Sequence, residues 1–67
     1  MKLDLDKIRS VRIQKGFSQE YVADVLEISQ AKYSRLESGK IEITLREFCE
    51  LISLLGLNSS DIIIKAS

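Results

Sequence analysis

The chain has no histidine, no proline and a single cysteine. Without histidine there is no histidine general base, no Ser-His-Asp or Cys-His nucleophile pair and little chemistry for a zinc site. With one cysteine, Cys49, no intramolecular disulfide forms, whereas a small secreted domain carries several. No purely apolar run exceeds three residues, as in Ile62-Ile63-Ile64, so no segment spans a bilayer. After Lys2 the N-terminus alternates acid and apolar residues (Leu3, Asp4, Leu5, Asp6), unlike a secretory signal. These absences point to a cytoplasmic chain with no membrane partner, no metal and no cofactor.

Net charge is lacking too: ten basic residues balance ten acidic ones. The balance is uneven along the chain. Residues 7–40 hold seven Lys/Arg against four Asp/Glu, and residues 41–67 hold two against four. Such asymmetry suits a protein that turns one face toward an anion. At 67 residues, 45% of them hydrophobic, one globular domain spanning 1–67 is expected, near the lower size limit for a self-supporting core.

What is present reads as five short helices. Asp4 or Asp6 caps a first helix from about Leu5 to Lys15, with Leu5, Ile8 and Arg12 on one face, Val11 beside them, and Gly16 at its end. Phe17 then plugs the connection. Ser18 caps a second helix with Val22, Ala23 and Leu26 buried. Ser29 caps a third, Gln30 to Ser38, which Gly39 stops. Thr44-Leu45-Arg46-Glu47 is a capping box that opens a fourth helix to about Leu55, with Leu45, Phe48, Ile52 and Leu55 facing the core. Asn58 caps a short fifth helix with Ile62 and Ile63, although the β-branched run Ile62–Ile64 also suits a terminal strand.

The segment 19–39 holds two short helices joined by a break too tight for antiparallel stacking, a helix-turn-helix geometry. Tyr33, Leu36 and Glu37 share one face of the third helix. Gln30, Ala31, Ser34, Arg35 and Ser38 share the other, with Lys32 nearby. Glutamine pairs with adenine, arginine with guanine, and alanine meets a thymine methyl in a major groove. The same face also reads as an ordinary solvated surface.

The stretch Ile8-Arg9, Val11-Arg12, Gly16-Phe17-Ser18-Gln19-Glu20, Val22-Ala23, Ile28-Ser29-Gln30, Tyr33-Ser34-Arg35-Leu36-Glu37-Ser38-Gly39-Lys40 resembles the Cro/repressor (XRE-like) helix-turn-helix domains of the lambdoid phage repressors. Leu51-Ile52, Leu55-Gly56-Leu57-Asn58 and Ile62-Ile63 are similar to the family's last two helices, so the likeness covers residues 5 to 64. The resemblance implies that Gln19 touches a phosphate and braces Gln30, that Gln30, Ala31, Ser34 and Arg35 face bases, and that Lys32 and Lys40 meet phosphates. It also implies that Gly39 and the following loop offer main-chain N–H groups to the DNA. It matches Arg12 and Glu37 to a buried salt bridge, in agreement with their placement on otherwise apolar faces. One departure is Glu27, which stands where the family usually has glycine. There a Cβ at φ > 0 brings strain, unless the turn takes another shape.

Tyr33 beside Leu36 is expected in the core, Cys49 as a buried, inert thiol. Glu47 is better explained as the capping-box acid than as half of a carboxylate pair with Glu50. Ile41 and Ile43, in a loop, suit contact with another chain, and Leu51 and Leu54 extend the fourth helix's apolar surface. The expected fold is all-α: a compact bundle of five short helices with a lambda-repressor-like helix-turn-helix. The expected function is sequence-specific binding of double-stranded DNA as a small repressor or regulator, as a homodimer on a pseudo-palindromic site. The other reading is a protein-interaction module of the same fold, such as the antitoxin of a toxin–antitoxin pair. An enzyme is not expected, since the chain lacks a nucleophile with its base, and so small a helical domain leaves little room for a pocket of about 300 Å³. No small-molecule ligand is evident.

Overall fold

The computed structural model describes residues 2–64, and for Ile64 only the backbone; Met1 and residues 65–67 lie outside the described part. In chain order the elements are β1 (Lys2–Leu3), α1 (Leu5–Gln14), α2 (Gln19–Leu26), α3 (Gln30–Glu37), α4 (Leu45–Leu55), α5 (Ser59–Ile62) and β2 (Ile63–Ile64). The fold is thus all-α, with one minimal ribbon. β1 and β2 pair antiparallel, Lys2 opposite Ile64 and Leu3 opposite Ile63, and the Asp4 N–H continues the pairing onto the Ile62 carbonyl at 2.7 Å. The strand open at Ile62–Ile64 therefore forms from Ile63 onward, while Ile62 ends α5.

The first four helices each start where a short polar N-cap side chain takes up a free N–H, whereas the Asn58 side chain makes no such bond at α5. Asp4, Ser18, Ser29 and Thr44 accept from the backbone of Lys7, Tyr21, Lys32 and Glu47. Glu47 returns the favour in the capping box, its Oε1 accepting from the Thr44 N–H at 2.9 Å. At α5 the Asp61 carboxylate accepts from the Asn58 N–H.

The first four helices end with one hydrogen-bond pattern. Phe17, Ile28, Lys40 and Leu57 each donate back to the carbonyl five residues earlier, on Arg12, Ala23, Arg35 and Ile52. This is the Schellman closure, which needs a left-handed residue just before the donor. Glycine fills that slot in three cases and Glu27 in the fourth, at φ 59° and ψ 42°. Glu27 is the only non-glycine with positive φ among the described residues. The Arg46 guanidinium, from α4, reaches the Leu26 carbonyl at this same helix end, at 3.4 Å.

Ile8, Val22, Ala23, Leu26, Tyr33, Phe48, Leu51, Leu55 and Ile62 form one core cluster. Two expectations for α4 are corrected. Leu45 is 75% exposed, because helix side chains lean toward the N-terminus and this first residue projects past the start of its helix. Leu51, not Leu45, completes the buried stripe. Cys49, expected buried, is exposed, because it lies off the stripe that carries Phe48, Leu51 and Leu55.

Candidate nucleic-acid interface

α3 is divided lengthwise by burial. Tyr33, Leu36 and Glu37 are buried, while Gln30, Ala31, Ser34, Arg35 and Ser38 are exposed. The buried side is anchored by a carboxylate that collects four hydrogen bonds. Arg12 grips Glu37 with two parallel N–H donors, Nε to Oε2 at 2.8 Å and Nη2 to Oε1 at 2.9 Å. The Tyr33 hydroxyl donates to Oε2 at 2.6 Å, and the Gln19 amide donates to Oε1 at 3.3 Å. The third guanidinium arm of Arg12 donates to the Phe17 carbonyl at 2.8 Å. The cluster fastens α3 to α1, to the start of α2 and to the α1–α2 connection.

Burial alone would raise the Glu37 pKa. The hydrogen bonds from Arg12, Tyr33 and Gln19 outweigh it and hold the carboxyl below the ordinary carboxylate range. Hydrogen bonding to Glu37 raises Arg12 above its already high value. Burial first, and then the same carboxylate, pushes the Tyr33 hydroxyl far above that of a free phenol. Among the described residues no buried side-chain polar atom lacks a partner.

Gln19 is half-buried and turned onto Glu37, and no hydrogen bond joins it to Gln30 among the described residues. The main-chain N–H groups of Gly39 and Lys40 donate to the Leu36 and Arg35 carbonyls, at 3.2 and 2.9 Å. That closure leaves neither N–H free to serve as the expected donor to a phosphate. Gly39, at φ 81°, also brings the end of α3 against α1: a Cβ there would lie 3.0 Å from Leu5 Cδ1. At the other three Schellman closures the residue after the left-handed position is apolar and half-buried: Phe17, Ile28 and Leu57. At α3 it is Lys40, exposed beside Ser38.

Lys32 does not stand free. Its ammonium lies 2.9 Å from Glu47 Oε2, whose side chain is only 2% exposed. The Thr44 backbone N–H, and then Lys32, hold the Glu47 carboxyl below its ordinary range against the opposing effect of burial. The capping-box reading of Glu47 thus captures one of its two partners.

The helix-turn-helix family pattern matches residues 8–62, most of the chain. The chain belongs to the XRE-type helix-turn-helix family. It is 34% identical over 62 residues to the SPbeta prophage-derived uncharacterized HTH-type transcriptional regulator YonR of Bacillus subtilis (strain 168). That match takes in 92% of this chain and 56% of YonR, so the chain spans about half the length of that curated relative. No solved structure is a significant match.

Within this helix-turn-helix framework Ile41 is exposed and Ile43 is half-buried against the core, so only Ile41 offers itself from the loop. The small domain does hold a groove of about 370 Å³, more room than its size suggested, between β1, the start of α1, the end of α3 and the Ile41–Ile43 loop. Its walls are mainly apolar, and the Glu37 carboxylate beneath them is already committed to Arg12 and Tyr33. Among the described residues no group of three His, Cys, Asp or Glu is placed to hold a metal, and no helix is long and apolar enough to cross a membrane.

Proposed function

We propose that the chain binds double-stranded DNA sequence-specifically as a small transcriptional regulator. The observation that carries this reading is the division of α3, whose inner face is locked by Tyr33, Leu36 and Glu37 while Gln30, Ala31, Ser34 and Arg35 stand exposed in a row. Membership of the helix-turn-helix family and similarity to YonR, named as an HTH-type transcriptional regulator, support it.

In this reading α3 enters the major groove. Gln30 offers a donor–acceptor pair to adenine, Arg35 a fork to guanine, and Ala31 a methyl to thymine. Lys40 meets a phosphate at the C-terminal end. Gln19 retains a second amide hydrogen for a phosphate at the start of α2. Two copies bind a pseudo-palindromic site with half-sites about 34–36 Å apart, which multiplies the few contacts one copy makes. The exposed Ile41 and the outer sides of α4 and α5 supply the surface between copies.

Selection from randomised duplex DNA with the purified protein tests this reading. An enriched inverted repeat is the expected result. A folded protein that enriches nothing overturns the reading and favours the protein-interaction module.

A further inference from the structure

We infer that Lys32 is a positioning residue that ties α3 to α4, and that it does not contact the DNA backbone. The inference rests on the DNA-binding reading of α3 and revises the role that the family resemblance gives this lysine.

Lys32 is the third residue of α3, and its backbone N–H is taken by the Ser29 hydroxyl at 3.1 Å. The first turn of α3 contains no acidic residue. A cation there meets the positive end of the helix dipole, where carboxylates are favoured and ammonium groups are not. Glu47 supplies the missing negative charge from another helix. One of its oxygens is fixed on the Thr44 N–H and the other on the Lys32 ammonium at 2.9 Å. Because the Glu47 side chain is almost wholly buried, its charge cannot turn to water for a substitute partner. The two N-terminal turns, one in each helix, are thereby held together through a single carboxylate. The Arg12–Glu37 cluster fixes the C-terminal half of α3, and the Lys32–Glu47 pair fixes its start, next to Gln30 and Ala31.

A phosphate contact and a tether differ in what they do to binding. Loss of a phosphate contact weakens binding to every sequence and lowers the slope of log K against log salt by about 0.9. Loss of a tether disturbs the base contacts alone. For Lys32→Gln, measured well below its melting temperature, affinity for the selected duplex should fall by about tenfold, the worth of one misplaced base contact. Affinity for a random duplex and the salt slope should both stay as in the wild type. An equal fall on both duplexes with a shallower slope would make Lys32 a phosphate contact. No change on either duplex would make the pair merely structural. Both outcomes overturn the inference.

Thermal unfolding of Lys32→Gln, Glu47→Gln and the double variant tests the pair without any DNA. The double variant should lose no more melting temperature than the worse single variant, and additive losses would contradict the tether. If the wild-type protein fails to bind any duplex, the DNA-binding reading fails, and this cycle alone reports on whether the pair exists.

Discussion

Arg12 and Glu37 lie 25 residues apart and meet through two parallel N–H···O bonds of 2.8 and 2.9 Å, deep between α1 and α3. The pair orients α3 from behind, so that the helix's polar side faces out. Removing one partner leaves the other charged and buried, which typically costs about 3–5 kcal/mol. A domain of this length has roughly 3–10 kcal/mol in all, at about 0.05–0.15 per residue. Glu37→Ala should therefore lose much of its cooperative urea transition. A variant within about 1 kcal/mol of wild type would mean that the pair behaves like an exposed one.

Two buried carboxylates, Glu37 in this cluster and Glu47 beneath Lys32, together with the Tyr33 hydroxyl, make stability depend on pH at both ends. Glu37 and Glu47 have folded pKa values below the ordinary range, so their stabilisation is complete above the unfolded value of about 4.3 and is lost as pH falls toward the folded values. Tyr33 is raised, so its contribution is complete below about pH 10 and is lost as pH climbs beyond. Melting temperature should be level between about pH 5 and 9 and should drop on either side. Tyr33→Phe should flatten the alkaline side, and Glu47→Gln should make the acid drop shallower, with Glu37 keeping the remainder. A profile that slopes through neutrality would contradict this assignment.

Glu27 occupies a slot that glycine fills at the other three Schellman closures, at φ 59°. A residue with a Cβ in the left-handed region carries strain of about 1 kcal/mol or more. Glu27→Gly should raise the melting temperature by about 4–8 °C, the shift expected for about 1 kcal/mol in so small a domain. A lower melting temperature would show that the Glu27 side chain contributes more than its backbone costs.

Lys40 should behave as a plain phosphate contact. Lys40→Ala is expected to weaken binding to all duplexes alike and to reduce the salt slope by about 0.9. A loss confined to one base pair would assign Lys40 to base reading instead.

The helices were legible because their boundaries are local. Ser18, Ser29 and Thr44 each precede an apolar-periodic run, and Gly16, Gly39 and Gly56 each follow one. Tyr33 in the core also followed from its spacing to Leu36. What escaped depends on distant partners. The strand Lys2–Leu3 exists only because the chain returns at Ile63–Ile64, two residues on each side being too few to leave a pattern. The Lys32–Glu47 pair joins two helices whose mutual placement no single segment encodes. The family resemblance turns the N–H groups of Gly39 and the following loop toward the DNA, although a glycine after a helix already signals that the first of these N–H groups, at Gly39 and Lys40, turn back onto the last carbonyls. The general tendency of cysteine to be buried misleads at Cys49, whose position beside the apolar stripe leaves it exposed.

The central claim is that the exposed side of α3 reads bases. It is tested most directly by repeating the selection from randomised duplexes with Gln30→Ala and comparing the enriched sites with those of the wild type. The expected result is the same inverted repeat, with preference lost at one base pair in each half-site and affinity for the wild-type site lower by about 1–3 kcal/mol. An unchanged preference at every position, with unchanged affinity, would contradict it.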